Sequence, residues 1–186
     1  VPSSGVTVHE DTGGSYLKME SNGDNHTIQQ YGTTPAVRTT TTPIVSVVVR
    51  SHDVPGTHEW VRVGLYATVP TNAGLDPAAL GANAIEFRYA PFFDGTVKWW
   101  CVSTDSGGTA QSTDSGVTFA ANTRYRLQID ATNPASIVFR INGAVVATHA
   151  TRYPTSTTPI RWAAQIGAWN GAFRYFSWGK THVTSD

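Results

Sequence analysis

The sequence contains a single cysteine, Cys101, so no disulfide can close within the chain and no metal centre can be built from several thiolates. Charge is also scarce: Asp, Glu, Lys and Arg supply 14% of the residues, against about a quarter in an average domain. The 13 basic residues balance 13 acidic ones, which removes the net field that would steer the chain onto nucleic acid or an anionic membrane. No apolar run approaches the roughly 20 residues of a membrane-spanning helix. The opening Val1-Pro2-Ser3-Ser4-Gly5 has neither an initiator Met nor the basic start and apolar centre of a signal peptide, which reads as a chain processed or excised from something longer. No period of about 20–50 residues repeats, and no linker divides the chain. One domain over residues 1–186 is the expectation, held together by its core.

What is present is apolar and aromatic residues in short runs. In Arg124-Tyr125-Arg126-Leu127-Gln128-Ile129-Asp130, Tyr, Leu and Ile alternate with polar residues, the period of a half-buried strand. A turn at Ala131–Ala135 follows, and Ile137, Phe139 and Ile141 then alternate with Val138 and Arg140. Asn142-Gly143 comes next, a dipeptide that tolerates positive φ at both central positions of a type I′ turn, and Ala144–Ala150 reads as the returning strand. Further strand-like runs are Tyr16–Glu20, Thr27–Tyr31, Pro43–Ser51, Trp60–Ala67, Ala84–Tyr89, Thr96–Ser103, Ile160–Ala168 and Phe173–Val183. Asp76–Leu80 reads as one helical turn, with Asp as cap and Pro77 at the first helical position. About eleven or twelve strands with short loops predict an all-β fold, two antiparallel sheets stacked as a jelly-roll sandwich.

Six tryptophans form the largest chemical inventory: Trp60, Trp99, Trp100, Trp162, Trp169 and Trp178. Burying one removes about 150–250 Å² from water, so most of them belong to the core. Trp99 and Trp100 are adjacent, and neighbours on a strand face opposite ways. Trp100 is therefore a candidate ligand-binding residue, with Trp169 in the turn-like Trp169-Asn170-Gly171 and Tyr175 beyond it. The histidines His9, His26, His52, His58, His149 and His182 show no metal-ligand spacing, and no Ser stands in a GxSxG elbow. The four glutamates, Glu10, Glu20, Glu59 and Glu86, form no closely spaced carboxylate set. No catalytic residue is assigned, and calcium is the one cofactor left open, through single oxygen ligands from Asp94, Asp105 and Asp114. Cys101, within Trp99-Trp100-Cys101-Val102, reads as a small buried hydrophobe.

The strand at 124–130, the stretch Val138-Phe139-Arg140-Ile141-Asn142-Gly143 through Val145-Val146-Ala147-Thr148-His149, and Pro154 together resemble a module of tailed-phage virion proteins. In that concanavalin-like (laminin-G-like) jelly roll, a "tyrRLrId" strand precedes "vxFyINGxxVAthxxxxP"; Ala84-Ile85-Glu86-Phe87-Arg88-Tyr89 and Trp99-Trp100 are similar to its earlier strands. The resemblance covers about half the chain. It implies a non-enzymatic virion structural or assembly module, a head decoration or tail- or fibre-associated domain at the virion surface or outside the cell. Its implied partners are capsid or tail neighbours, a homo-oligomer, and host or surface glycans, with no nucleic acid and no membrane. The same fold supports an alternative, a carbohydrate-binding module or adhesin domain, and, less favoured, a polysaccharide-active enzyme. Against the enzyme, the positions similar to the catalytic strands of alginate-lyase-like jelly rolls hold Gly167, Ser177 and Thr181.

Overall fold

The structure is a computed structural model. It describes the backbone of residues 5–11, 14–21, 26–31, 43–51, 59–68, 80–133, 135–154, 159–168 and 174–184, and the side chains of 43–51, 60–68, 80–133, 135–154 and 159–166. Among the described residues there are thirteen strands and one short helix. In chain order they are β1 (Gly5–Asp11), β2 (Gly14–Ser21), β3 (His26–Tyr31), β4 (Ile44–Ser51), β5 (Glu59–Tyr66), β6 (Ala84–Tyr89) and α1 (Pro91–Asp94). After them come β7 (Lys98–Thr104), β8 (Ala110–Thr118), β9 (Arg124–Asp130), β10 (Ile137–Ile141), β11 (Ala144–His149), β12 (Arg161–Ala168) and β13 (Arg174–Thr184). They form a seven-stranded sheet, ordered β1-β2-β13-β4-β9-β10-β11, and a six-stranded sheet, ordered β3-β12-β5-β6-β7-β8. Neighbours run antiparallel throughout.

The expected two-sheet antiparallel sandwich is thus the observed one. Alternation builds its interior: Val45, Val47 and Val49 of β4 and Tyr125, Leu127 and Ile129 of β9 meet Val61, Val63 and Leu65 of β5 and Ile85, Phe87 and Tyr89 of β6. Phe87 makes edge-to-face contacts with Phe139 of the opposite sheet at 5.3 Å between centroids and with Trp99 at 6.5 Å, the geometry that aromatic quadrupoles favour. Trp99 and Cys101 are fully buried here, and burial raises the Cys101 thiol well above its ordinary pKa. That thiol is an inert core group.

Two strands lie beyond the sequence expectation. β1 and the polar β8 (Ala-Gln-Ser-Thr-Asp-Ser-Gly-Val-Thr) are each at a sheet edge. The helical turn expected at Asp76–Leu80 falls outside the described residues except for Leu80, and the one described helix, α1, occupies Pro91–Asp94.

The β10–β11 hairpin has the predicted form. Ile141 pairs with Ala144, and Asn142 and Gly143 take φ of 53° and 88°. The Asn142 side-chain oxygen accepts from the Arg126 amide at 2.8 Å. Gly143→Val would push a β-branched residue into the left-handed region, so we expect a loss of about 1–2 kcal/mol. Gly107→Val should cost less, since Gly107 avoids that region and a Cβ there would meet only the Asp105 carboxylate, at 3.3 Å. Thermal melting of the two variants checks this; an equal or larger loss at Gly107 contradicts it.

Candidate functional site

The face of the six-stranded sheet that points away from the core carries most of the buried polar groups. Cross-strand register puts Gln165 opposite Arg62, Arg62 opposite Arg88, Arg88 opposite Trp100, and Trp100 opposite Asp114. These five residues form a row across β12, β5, β6, β7 and β8, and directly paired residues share a face. The adjoining row runs Ala163, Gly64, Glu86, Val102 and Ser112. Gly64 is there because β5 and β6 approach closely: a Cβ on it would lie 2.2 Å from the Ile85 carbonyl oxygen.

At its inner end the site is a sealed ionic cluster. Arg62 and Arg88 are 3% exposed, and Glu86, Tyr66 and Gln165 are fully buried. Arg88 donates through Nε and Nη2 to the two oxygens of Asp94 at 3.1 and 2.6 Å, a bidentate fork. Tyr66 donates its hydroxyl to Glu86 Oε2 at 2.9 Å. Burial, and next the Glu86 charge, hold the phenol well above its usual pKa, so it stays protonated. Glu86 Oε1 has no hydrogen-bond partner among the described residues, and its nearest cations are Arg62 Nε at 3.8 Å and Arg88 Nη1 at 3.9 Å. Arg62 also stacks 5.8 Å above Trp60, a cation–π contact. Among the described residues, two guanidinium groups face two carboxylates.

The outer end is open. Trp100 is half-buried, and its indole N–H donates to Thr96 Oγ1 at 3.0 Å. Beside it, Lys98 and Asp114 pair at 2.7 Å with about a third of each side chain exposed, and the Lys98 ammonium keeps the Asp114 carboxyl below the usual range. The connection from β6 to β7 adds Phe92, Phe93 and Val97, at 60%, 37% and 45% exposure. Flat aromatic faces beside polar groups already paired with one another suit a polyol, which needs stacking and neutral hydrogen bonding.

The three carboxylates named as calcium ligands are each held by a cation of the chain: Asp94 by Arg88, Asp105 by Arg152 at 2.9 Å, and Asp114 by Lys98. Among the described residues, no three His, Cys, Asp or Glu groups converge as a metal site.

A second polar cluster superficially resembles a nucleophile and its base. His149 Nδ1 lies 2.7 Å from Ser103 Oγ and Nε2 lies 3.0 Å from Thr113 Oγ1. Ser103, however, spends its one hydroxyl proton on the Arg152 carbonyl at 2.8 Å. Nδ1 must then carry the proton and Nε2 accept from Thr113, which leaves Ser103 without a base. The cluster clasps β11 of one sheet to β7 and β8 of the other. Burial of this imidazole lowers its pKa from 6.5 to about 4, so as pH falls the unfolded chain takes up the proton first. Stability contributed by neutral His149 is complete above pH 6.5, declines towards pH 4, and levels off below. The loss should reach about 2 kcal/mol after solvent screening at the sandwich edge is allowed for. Urea melts at neutral pH and near the lower end of that window check it, and His149→Gln should flatten this part of the profile; an unchanged profile in the variant contradicts it.

Of the residues predicted from sequence, Trp100 lies in the six-stranded sheet on β7, whereas Tyr175 lies on β13 of the seven-stranded sheet, so the two are not brought together. Trp169 lies outside the described residues, as do His52-Asp53 and His58. Gly167 is on β12, and Ser177 and Thr181 are on β13 of the other sheet. The sequence reading missed Arg62, Tyr66, Arg88 and Gln165 as site residues and discounted Glu86. The available signal was Glu86 and Arg88 sharing one face of a strand whose other face is Ile85, Phe87 and Tyr89.

This architecture is the concanavalin-like jelly roll. It superposes on a sialidase with a TM-score of 0.64 at 11% identity, over 98% of this chain and 16% of the sialidase. A Bacteroides ovatus mixed-linkage glucan GH16 protein, in complex with a G4G4G3G product, gives 0.64 at 9% identity over 96% of this chain and 85% of its own. The Bacillus subtilis carbohydrate-binding module CBM66 gives 0.55 at 12%, over 97% and 92%. The chain belongs to the SO2946-like, C-terminal domain family, whose profile it matches over residues 11–172. No curated protein matches its sequence.

Proposed function

We propose that this domain binds carbohydrate without turning it over, at the open end of the outer face around Trp100. The observation that carries the reading is a half-buried indole, oriented by Thr96, beside an internally neutralised Lys98–Asp114 pair. Carbohydrate-binding and carbohydrate-active proteins among the structural neighbours support it. The burial of Tyr66 and Glu86 supports binding over catalysis, because a general acid or base must come within hydrogen-bond reach of its substrate.

A glycan array followed by calorimetry tests the proposal. Trp100→Ala should weaken binding at least about tenfold, while Trp100→Phe, which keeps a stacking face, should retain most of it. An array without hits ends the reading. The resemblance of β9–β11 to tailed-phage modules favours a second, compatible reading, in which the domain sits at a virion surface or outside the cell with capsid or tail neighbours. Particle proteomics tests that placement, and absence from purified particles would remove it.

A further inference from the structure

Five large apolar side chains are exposed among the described residues, and three of them, Phe92, Phe93 and Val97, lie in the single connection between β6 and β7. Leaving apolar area in water forgoes about 25 cal/mol per Å², and a concentration of such area marks a contact surface. The connection is also built to hold its shape. Phe93 and Asp94 amides donate to the Ala90 carbonyl at 3.0 and 2.9 Å, and Gly95 donates to Pro91 at 2.9 Å. The Asp94 carboxylate is forked by Arg88, the Phe119 amide reaches the Val97 carbonyl at 2.9 Å, and Thr96 receives the Trp100 indole. Phe92 and Phe93 meet edge to face, with centroids 5.3 Å apart and planes at 85°, and Phe92 remains 60% exposed in that arrangement. A surface ordered before contact loses little entropy on binding.

We propose that Phe92 and Phe93, with Val97, form a stacking platform for a neutral polysaccharide of equatorially substituted hexopyranoses, continuing the Trp100 site. The inference rests on the carbohydrate-binding reading and deepens it by naming residues and ligand class. Equatorial hydroxyls leave both faces of such a sugar ring lined by C–H groups, which is what an aromatic face receives. Charge selects the neutral class: the cations beside the platform, Arg88 and Lys98, are already engaged with Asp94 and Asp114. A uronate would have to displace an internal carboxylate and would gain no net charge attraction.

The test uses the intact chain with two probes, the neutral β-glucan lichenan and the polyuronate alginate, in affinity electrophoresis and calorimetry at low and high sodium chloride. The expected result is binding to lichenan that changes less than about twofold with salt, because few ions are released. The double variant Phe92→Ser, Phe93→Ser should bind at least about tenfold more weakly while still unfolding in one cooperative transition above the assay temperature, and Phe93→Tyr should bind like the parent. Lichenan binding that survives the double variant overturns the platform and leaves the carbohydrate reading standing. Binding to alginate alone, lost at high salt, overturns the neutral class. Self-association that the double variant abolishes, seen by sedimentation, makes this a protein contact and also overturns it. Failure to bind any glycan on the array removes both the reading and the inference.

Discussion

Replacing Gly64 by alanine should lower the melting temperature by roughly 6–12 °C, the equivalent of about 3 kcal/mol in a domain of this size. The sign is unusual. In a strand interior, glycine loses more backbone entropy on folding than alanine does, and alanine is ordinarily the stabilising choice. Here the added Cβ would stand 2.2 Å from the Ile85 carbonyl oxygen and 2.7 Å from Glu86 Cα. Both are backbone atoms, so no rotamer change relieves the contact; β5 and β6 must separate along the line where they pair. The damage comes with the first carbon, and Gly64→Val should add comparatively little. Gly107→Ala, on an exposed loop, serves as the control. A Gly64→Ala protein that melts with or above the parent would show that the close approach between these strands is not a constraint.

The second large effect is expected at Arg88. Its guanidinium forks Asp94 and stands 3.9 Å from Glu86, with its side chain only 4% exposed. Arg88→Met keeps the length and removes the charge, leaving Asp94 without its cation and Glu86 with Arg62 alone. Breaking one side of a buried ion pair typically costs about 3–5 kcal/mol, because the remaining charge stays desolvated. Adding Asp94→Asn should restore part of the loss, and the double-mutant cycle measures the coupling. Since Asp94 ends the α1 turn, Arg88→Met should also weaken lichenan binding through Phe92 and Phe93. A loss below about 1 kcal/mol for Arg88→Met would mean that water reaches the fork and the pair behaves as a surface one.

Much of the fold could be read from the sequence because its central strands obey alternation. Tyr125, Leu127 and Ile129 on β9, and Ile137, Phe139 and Ile141 on β10, point inward as expected. Asn142-Gly143 closes its hairpin, and Trp99 and Trp100 take opposite faces. β8 escaped because an edge strand needs no apolar face: Ala110–Thr118 is set by its ladder to β7, which local composition does not report. α1 escaped because four residues are too few to show a 3.6-residue period. The ionic cluster escaped for a different reason. Glu86 and Arg88 lie two apart on one strand, but Arg62, Tyr66 and Gln165 join them only through the β12–β5–β6 register, which follows from tertiary pairing. Trp100 was accessible because its neighbour in sequence, Trp99, had to take the core.

The strand order also governs when the protein can fold. The last two of the thirteen described strands take interior places: β12 lies between β3 and β5, and β13 lies between β2 and β4. Until they are synthesised, the β1–β2 hairpin and β3 have no sheet to join, and only β4–β9–β10–β11 and β5–β6–β7–β8 can assemble. A nascent chain emerging at roughly 5–20 residues per second therefore carries β1–β3 with open edges until β12 and β13 follow. Closure then depends on the pairing of β12 with β3 and of β13 with β2 across more than a hundred residues, the kind of contact whose loop entropy makes folding slow. A chain stalled before β12 would hold two four-stranded fragments and an undocked β1–β3 segment, the state in which a chaperone would meet it.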